Sequence, residues 1–312
     1  MSNQKGFKTS IGGQAVIEGV MMRGPQQSAM AVRLPDGTVD LEEWPTAYYN
    51  KWHRKTPFIR GVFNMVDSMV SGYKCLMKSA EKAGIEEEEP SRFEKWLSEK
   101  LGKSLMTVVA VVSLVLGMGL AIGLFVFLPT FLVSLVQRLF EESFTPMTRS
   151  FLEGVLKIII FVMYLLLVSR MSDIRRVFQY HGAEHKTIAC YEAGEVLTIE
   201  NVRAKSRFHP RCGTSFLLIV LVISILLFSV LTWDTVAIRV LLKLALLPVV
   251  VSISYEIIKY AGRHVNPLTR AISAPGIWFQ RLTTYEPDDS QIEVAIESMK
   301  PCIPEVKGAD EW

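Results

Sequence analysis

The sequence predicts an α-helical integral membrane protein with about four transmembrane helices and a small α+β N-terminal cytoplasmic domain. Three observations carry that expectation. Half of the 312 residues are hydrophobic and 21% are charged, a mean barely above that of soluble domains, but their distribution is uneven. Between Lys103 and Arg138, 34 consecutive residues bear no formal charge, and between Arg211 and Asp234 there are 22; a bilayer span needs about 20 apolar residues. Basic residues are segregated as well: residues 1–103 hold 15 Lys or Arg and residues 170–212 hold eight, whereas 138–150 hold two. These patterns exclude a wholly soluble enzyme.

The elements follow in chain order. The first residues, MSNQKGFKTS, contain no apolar run, so no cleaved signal peptide is expected. Residues 1–103 form the α+β unit. Within it, segments 29–34 and 38–44 flank Pro35, Asp36 and Gly37, which predicts a β-hairpin. Residues 57–83 have helical spacing, with Phe58, Val62, Met65, Met69, Tyr73 and Leu76 on one face of a core or membrane-surface helix. The run Glu86–Glu89 before Pro90 reads as a solvated linker.

Residues 104–169 are expected to supply transmembrane helices 1 and 2. The first covers 104–127, with Pro129 kinking or ending it and 130–137 continuing at the interface. The second covers 151–169, where Glu153 and Lys157 stand one turn apart and can pair. Residues 170–212 form a basic cytoplasmic loop. Residues 213–261 supply helix 3 (213–232, with Trp233 as interfacial anchor) and helix 4 (237–260, interrupted by Pro248). The tail, 262–312, contains a short helix whose capping box begins at Ser290 and whose packing stripe is Ile292, Ala295, Ile296 and Met299. The positive-inside rule places residues 1–103, the basic loop and the tail in the cytoplasm, giving N-in and C-in.

A net charge of +3 is too small for a dedicated nucleic-acid binder, so no DNA partner is expected. Four cysteines are too few for a disulfide framework. The chemistry concentrates in the basic loop, which holds three of the five histidines. His181 and His185 lie one turn apart on a helix expected over 173–191, and His209 and Cys212 flank a proline turn. Two such pairs make an N₃S donor set for a zinc ion.

Two readings stay open. Four protein ligands would close the site and make it structural, whereas three would leave room for a water that zinc acidifies. In the second case the order H-x-x-E-H places Glu184 as general base of a metal-dependent hydrolase. Other candidates are Glu18 and Arg23, a possible ion pair in the glycine-rich segment 12–25, and Glu256, an ionisable residue inside the fourth span. The arginines of the basic loop serve as the orientation signal and could contact anionic lipid or ribosomal RNA.

The segments GGQAVIEGVMMRGP, PFIRG, YHGAEHK, FHPRCGTSF and APGIWFQRLTTYEP together resemble the YqhQ-like family of bacterial membrane proteins. The resemblance covers nearly the whole chain. It implies a metal-dependent enzyme of the cell (inner) membrane, and the family's genes beside translation-factor genes imply a role near the ribosome or the protein-translocation machinery. A non-catalytic, zinc-fastened scaffold for those partners is the alternative.

Overall fold

A computed structural model describes residues 7–46, 52, 55–84, 105–140, 144–229, 236–264, 266–306 and 308–311. The linker Glu86–Glu89, Trp233 and His53 lie outside the described residues. Contacts divide the chain into two units. The first comprises 1–84, 165–224 and 240–312; the second comprises 85–164 and 225–239.

The first unit is built on a four-stranded antiparallel meander of β1 (Gly12–Val16), β2 (Gly19–Arg23), β3 (Gln27–Arg33) and β4 (Val39–Pro45). The predicted hairpin is β3–β4. Gly37 adopts φ +86°, and the Asp36 carboxylate accepts from the Thr38 amide at 2.9 Å, closing the turn. The central strands are apolar on both faces because both are covered. Val20, Met22, Ala29 and Ala31 point one way, into a core completed by α5 (Ser172–Glu192) and α10 (Asp289–Met299). Val16, Met21, Met30 and Val32 point the other way and meet Cys75 of α1 (Ile59–Lys82).

Helix α1 has the expected helical stripe, with Val62, Met65 and Leu76 half-buried. Its buried positions are the small residues Gly61, Gly72, Cys75 and Ser79, which permit close approach. Phe58, Met69 and Tyr73 of the predicted stripe are exposed, together with Phe63, Val66 and Val70. The capping box of α10 differs from the expected one, since Asp288 and not Ser290 is its N-cap, paired with Gln291. An ionised carboxylate is the stronger acceptor for the first-turn amides. The predicted stripe Ile292, Ala295, Ile296 and Met299 is buried as expected.

The second unit contains α2 (Leu105–Ile122), a π-helical turn (Gly123–Phe127), α3 (Leu128–Leu139) and most of α4 (Pro146–Val168). Pro129 does not end the first apolar helix. The wider π turn, in which the Leu128 amide reaches the Gly123 carbonyl, admits the proline ring and the helix continues. Among the described residues the candidate span is Val115–Leu139, overlapping the expected 104–127. Glu153 is buried and accepts from Arg149 one turn before it at 3.2 Å.

The short α6 (Ile199–Arg203) belongs to the first unit, and α7 (Gly213–Ser229) and α8 (Val236–Arg263) contribute residues to both units. Helix α9 (Pro267–Thr283) precedes α10. Among the described residues, three helices are long and apolar enough to cross a membrane: Val115–Leu139, Met147–Val168 and Leu241–Arg263. Within the expected third span, the described residues include the apolar helix Gly213–Phe228. Val115, Leu116, Leu120, Phe151, Leu167, Leu241 and Leu244 are all exposed, so these helices present apolar surface far beyond the patches normal on soluble proteins.

Candidate metal centre

The site begins with helix periodicity. His181 and His185 fall on one face of α5, with ring centroids 4.4 Å apart. Cys212 stands immediately before the first residue of α7, where its sulfur accepts from the Thr214 amide at 3.4 Å. The ligand atoms of His181, His185 and Cys212 all lie within 4.8 Å of one another, the spacing of a common metal ion.

The surrounding hydrogen bonds aim these atoms. His181 Nδ1 lies 2.9 Å from the Thr283 carbonyl, and His185 Nδ1 lies 2.6 Å from that of Arg207. A carbonyl can only accept, so each Nδ1 donates and each Nε2 is left to coordinate. This is the outer-shell arrangement that fixes the tautomer of metal-binding histidines. His181 Nε2 lies 3.2 Å from Cys212 Sγ. Burial opposes charge on both groups, yet each stabilises the other's charged form. Against burial, Cys212 and then Glu184 hold His181 up to about 9. Against burial, His181 and His185 draw the Cys212 thiol well below its usual range. A thiolate is the form that binds metal. The donor chemistry and the orientation of both imidazoles thus fit a soft or borderline divalent ion.

Glu184 projects beside the cluster. Its carboxyl is 5% exposed, and burial raises its pKa, opposed by His181 and His185. Its Oε2 has no hydrogen-bond partner among the described residues, an arrangement that is costly unless a water or ion satisfies the atom. Gly13 of β1 makes this position possible. A Cβ there would lie 2.9 Å from the Glu184 carboxyl carbon and 2.8 Å from the Met21 carbonyl oxygen. Gly182 serves α5 similarly, because a side chain would collide with the Tyr285 carbonyl.

His209, the fourth predicted ligand, is not among the clustered donors. Its ring lies near His185, with centroids 5.7 Å apart, but its Nε2 faces Glu192 at 3.4 Å. Glu192 is two turns beyond His185 on α5 and also holds Arg211 by an ion pair. Its carboxylate takes the His209 imidazole away from the cluster. His209 contributes through its backbone instead. The Gln280 amide group accepts from the His209 N–H at 2.8 Å and donates to its carbonyl at 2.6 Å, clamping the turn that carries Cys212.

The remaining candidates sit elsewhere. Glu18, at φ +50°, does not pair with Arg23. Both of its oxygens accept from Arg176, and Oε2 also accepts from the Tyr180 hydroxyl at 3.2 Å. It pins the β1–β2 turn onto α5. Arg23 lies at the end of β2 opposite Gly12 and Ser28. Glu256 accepts from the Arg60 guanidinium and, at 3.1 Å, from the Phe58 amide, docking α1 onto α8.

Sequence reasoning missed Gln280, Thr283, Arg207 and Glu192. Only Glu192 had a signal, its position at i+7 from His185 on the same helical face. The others act across distant segments or through their main chains.

A family model described as "Protein of unknown function (DUF1385)" matches residues 56–305. The chain is 36% identical over 297 residues to "Uncharacterized protein YqhQ" of Bacillus subtilis (strain 168), an alignment covering 94% of this chain and 92% of that protein. No solved structure matches.

Proposed function

Because the chain belongs to the YqhQ-like family described as DUF1385, we propose a common reading for it: an integral protein of the bacterial cytoplasmic membrane, N-in and C-in, bearing a zinc-dependent hydrolase centre at the inner face. The membrane part is supported by the three apolar helices and by the basic segments flanking them. The topology reading is supported by the hydrophobic core common to strands β1–β4, α5 and α10. If these elements share one side of a bilayer, an even number of crossings separates them, and Gly213–Ser229 would cross with α8.

The observation that carries the catalytic reading is the pairing of three clustered donors with a neighbouring carboxyl whose Oε2 is unsatisfied. His181, His185 and Cys212 would hold a zinc ion, which would supply Lewis acidity to acidify a water. Glu184 would be placed to accept a proton from a water as it adds to an electrophilic centre, and to return it to the leaving group as the scissile bond breaks. Thr283 and Arg207 keep both imidazoles oriented throughout.

A second reading has its own support. Glu184, His185 and Cys212 are nearly fully buried, and the cluster ties α5 to the start of α7. Zinc would then fasten a scaffold whose basic surface engages the ribosome or the protein-translocation machinery. Glu184→Gln separates the two: loss of a complementing phenotype with protein level and zinc content intact is the expected result. Full complementation by this variant would leave only the scaffold.

A further inference from the structure

A cavity of about 470 Å³ opens where the end of α8 meets α9 and the turn before α7. Its walls are of two kinds. Phe208, Ile277 and Trp278 provide apolar surface, while Lys8, Arg270 and Arg281 bring positive charge to the same space. Arg211 and Glu192 also line it, but these two are already joined by their ion pair. Arg270 and Arg281 are exposed and have no acidic partner among the described residues. Arg270, Ala274, Trp278 and Arg281 recur at helical spacing along α9, so one face carries both cations and the exposed Trp278 ring. Ala261 and Gly262, from the last turns of the apolar span Leu241–Arg263, form one wall. The cavity therefore adjoins the end of a membrane helix, at the depth where headgroups sit if α8 spans a bilayer.

We propose that this cavity binds a phosphate-bearing amphiphile, its phosphoryl group held by Lys8, Arg270 and Arg281 and its apolar part lying along Phe208, Ile277 and Trp278. The inference rests on the membrane reading above and does not depend on hydrolysis. Charge complementarity selects the head: three cations face a space whose one acidic wall residue among the described residues, Glu192, is already paired, and guanidinium groups suit phosphate oxygens. The apolar walls and the adjoining span select a lipid over a free phosphate ester. Burial, and then the nearby Arg211, hold the Lys8 ammonium below its usual range, opposed by Glu192. Lys8 is meanwhile fixed by donating to the Gly262 carbonyl at 2.7 Å.

The test is native mass spectrometry of the full chain in detergent, titrated separately with phosphatidic acid, diacylglycerol and glycerol 3-phosphate. Phosphatidic acid should bind at least about tenfold more tightly than either of the others, because each lacks one half of the recognition. The doubly substituted Arg270→Gln, Arg281→Gln chain should lose about tenfold or more in affinity for phosphatidic acid. Both arginines are exposed, so folding is preserved, and zinc content should equal that of the parent chain. Trp278→Ser, tested alone, should weaken phosphatidic acid but leave glycerol 3-phosphate unchanged. Equal binding of diacylglycerol would reduce the site to an apolar groove, and equal binding of glycerol 3-phosphate would make the source a free ester; either overturns the proposal. So does undiminished binding by the double variant. A failure here leaves the zinc content and the Glu184→Gln outcome untouched, so the two readings fail separately.

Discussion

Gln280 offers the sharpest test of how the metal centre is held. Its side chain is fully buried and makes both backbone bonds to His209, at 2.8 and 2.6 Å. Replacing it by leucine keeps the volume but strands a buried N–H and a buried carbonyl. Each orphan costs about 1–3 kcal/mol, so the turn 209–212 should be destabilised by roughly 2–6 kcal/mol, reduced somewhat by the added apolar burial. The turn relaxes to let water reach these groups, and Cys212 moves with it. Outer-shell losses of this kind typically lower metal affinity about 10–100-fold. Gln280→Glu keeps the acceptor for the His209 N–H and loses only the donor, so its effect should be intermediate. The assay is competition for zinc between the detergent-solubilised chain and a chromogenic chelator, with thermal unfolding measured in parallel. A folded Gln280→Leu chain that binds zinc as tightly as the parent would refute the view that this amide positions Cys212.

Three further outcomes are expected. Gly13→Ala should cost about 1–3 kcal/mol through overpacking against the Met21 carbonyl and Glu184, whereas Gly12→Ala, with nothing within 4 Å, should be neutral; equal unfolding midpoints for the two would contradict this. Chelation should make Cys212 at least about tenfold more reactive towards iodoacetamide, since its thiolate loses its ion. Cys75, Cys190 and Cys302 are buried thiols that burial pushes up, Cys302 to about 11, so peptide mass spectrometry should find them unchanged. Arg60→Ala should loosen α1 from α8 by about 1–2 kcal/mol, because Glu256 loses a two-point guanidinium contact. Faster hydrogen exchange at the start of α1 is the readout, and unaltered exchange would count against that docking role.

Local signals made much of this architecture legible. The β3–β4 hairpin was readable because Pro35, Asp36 and Gly37 encode their own turn. His181 and His185 were readable as a pair because one helical turn separates them, and Cys212 because a thiol near a proline turn is a recognisable ligand. Strands β1 and β2 were not readable as strands. Their glycines suggested only close packing, and the apolar run Val20–Met22 lacks alternation because both of its faces are covered. The face of α1 stayed open between core and membrane surface for a related reason: part of its apolar stripe is exposed while the small residues Gly72, Cys75 and Ser79 meet the sheet region. Hydrophobicity alone cannot separate a protein core from a lipid-facing surface. The fate of His209 depended on a rival, Glu192, that competes for its Nε2. Competition between partners distant in the chain leaves no periodic trace.

The shared core of the sheet, α5 and α10 also sets a timetable. Thr9 bonds the Asp310 carboxylate at 2.5 Å, and its backbone bridges to Glu311. The sheet is therefore sealed by residues that follow every described apolar helix in the chain. Until α10 emerges, Val20, Met22, Ala29 and Ala31 have only α5 to cover one face. The nascent meander must be kept from pairing with other chains while those helices are made. A chain truncated before Asp289 would carry a sheet with part of one face uncovered, a ready signal by which quality-control proteases could recognise such copies.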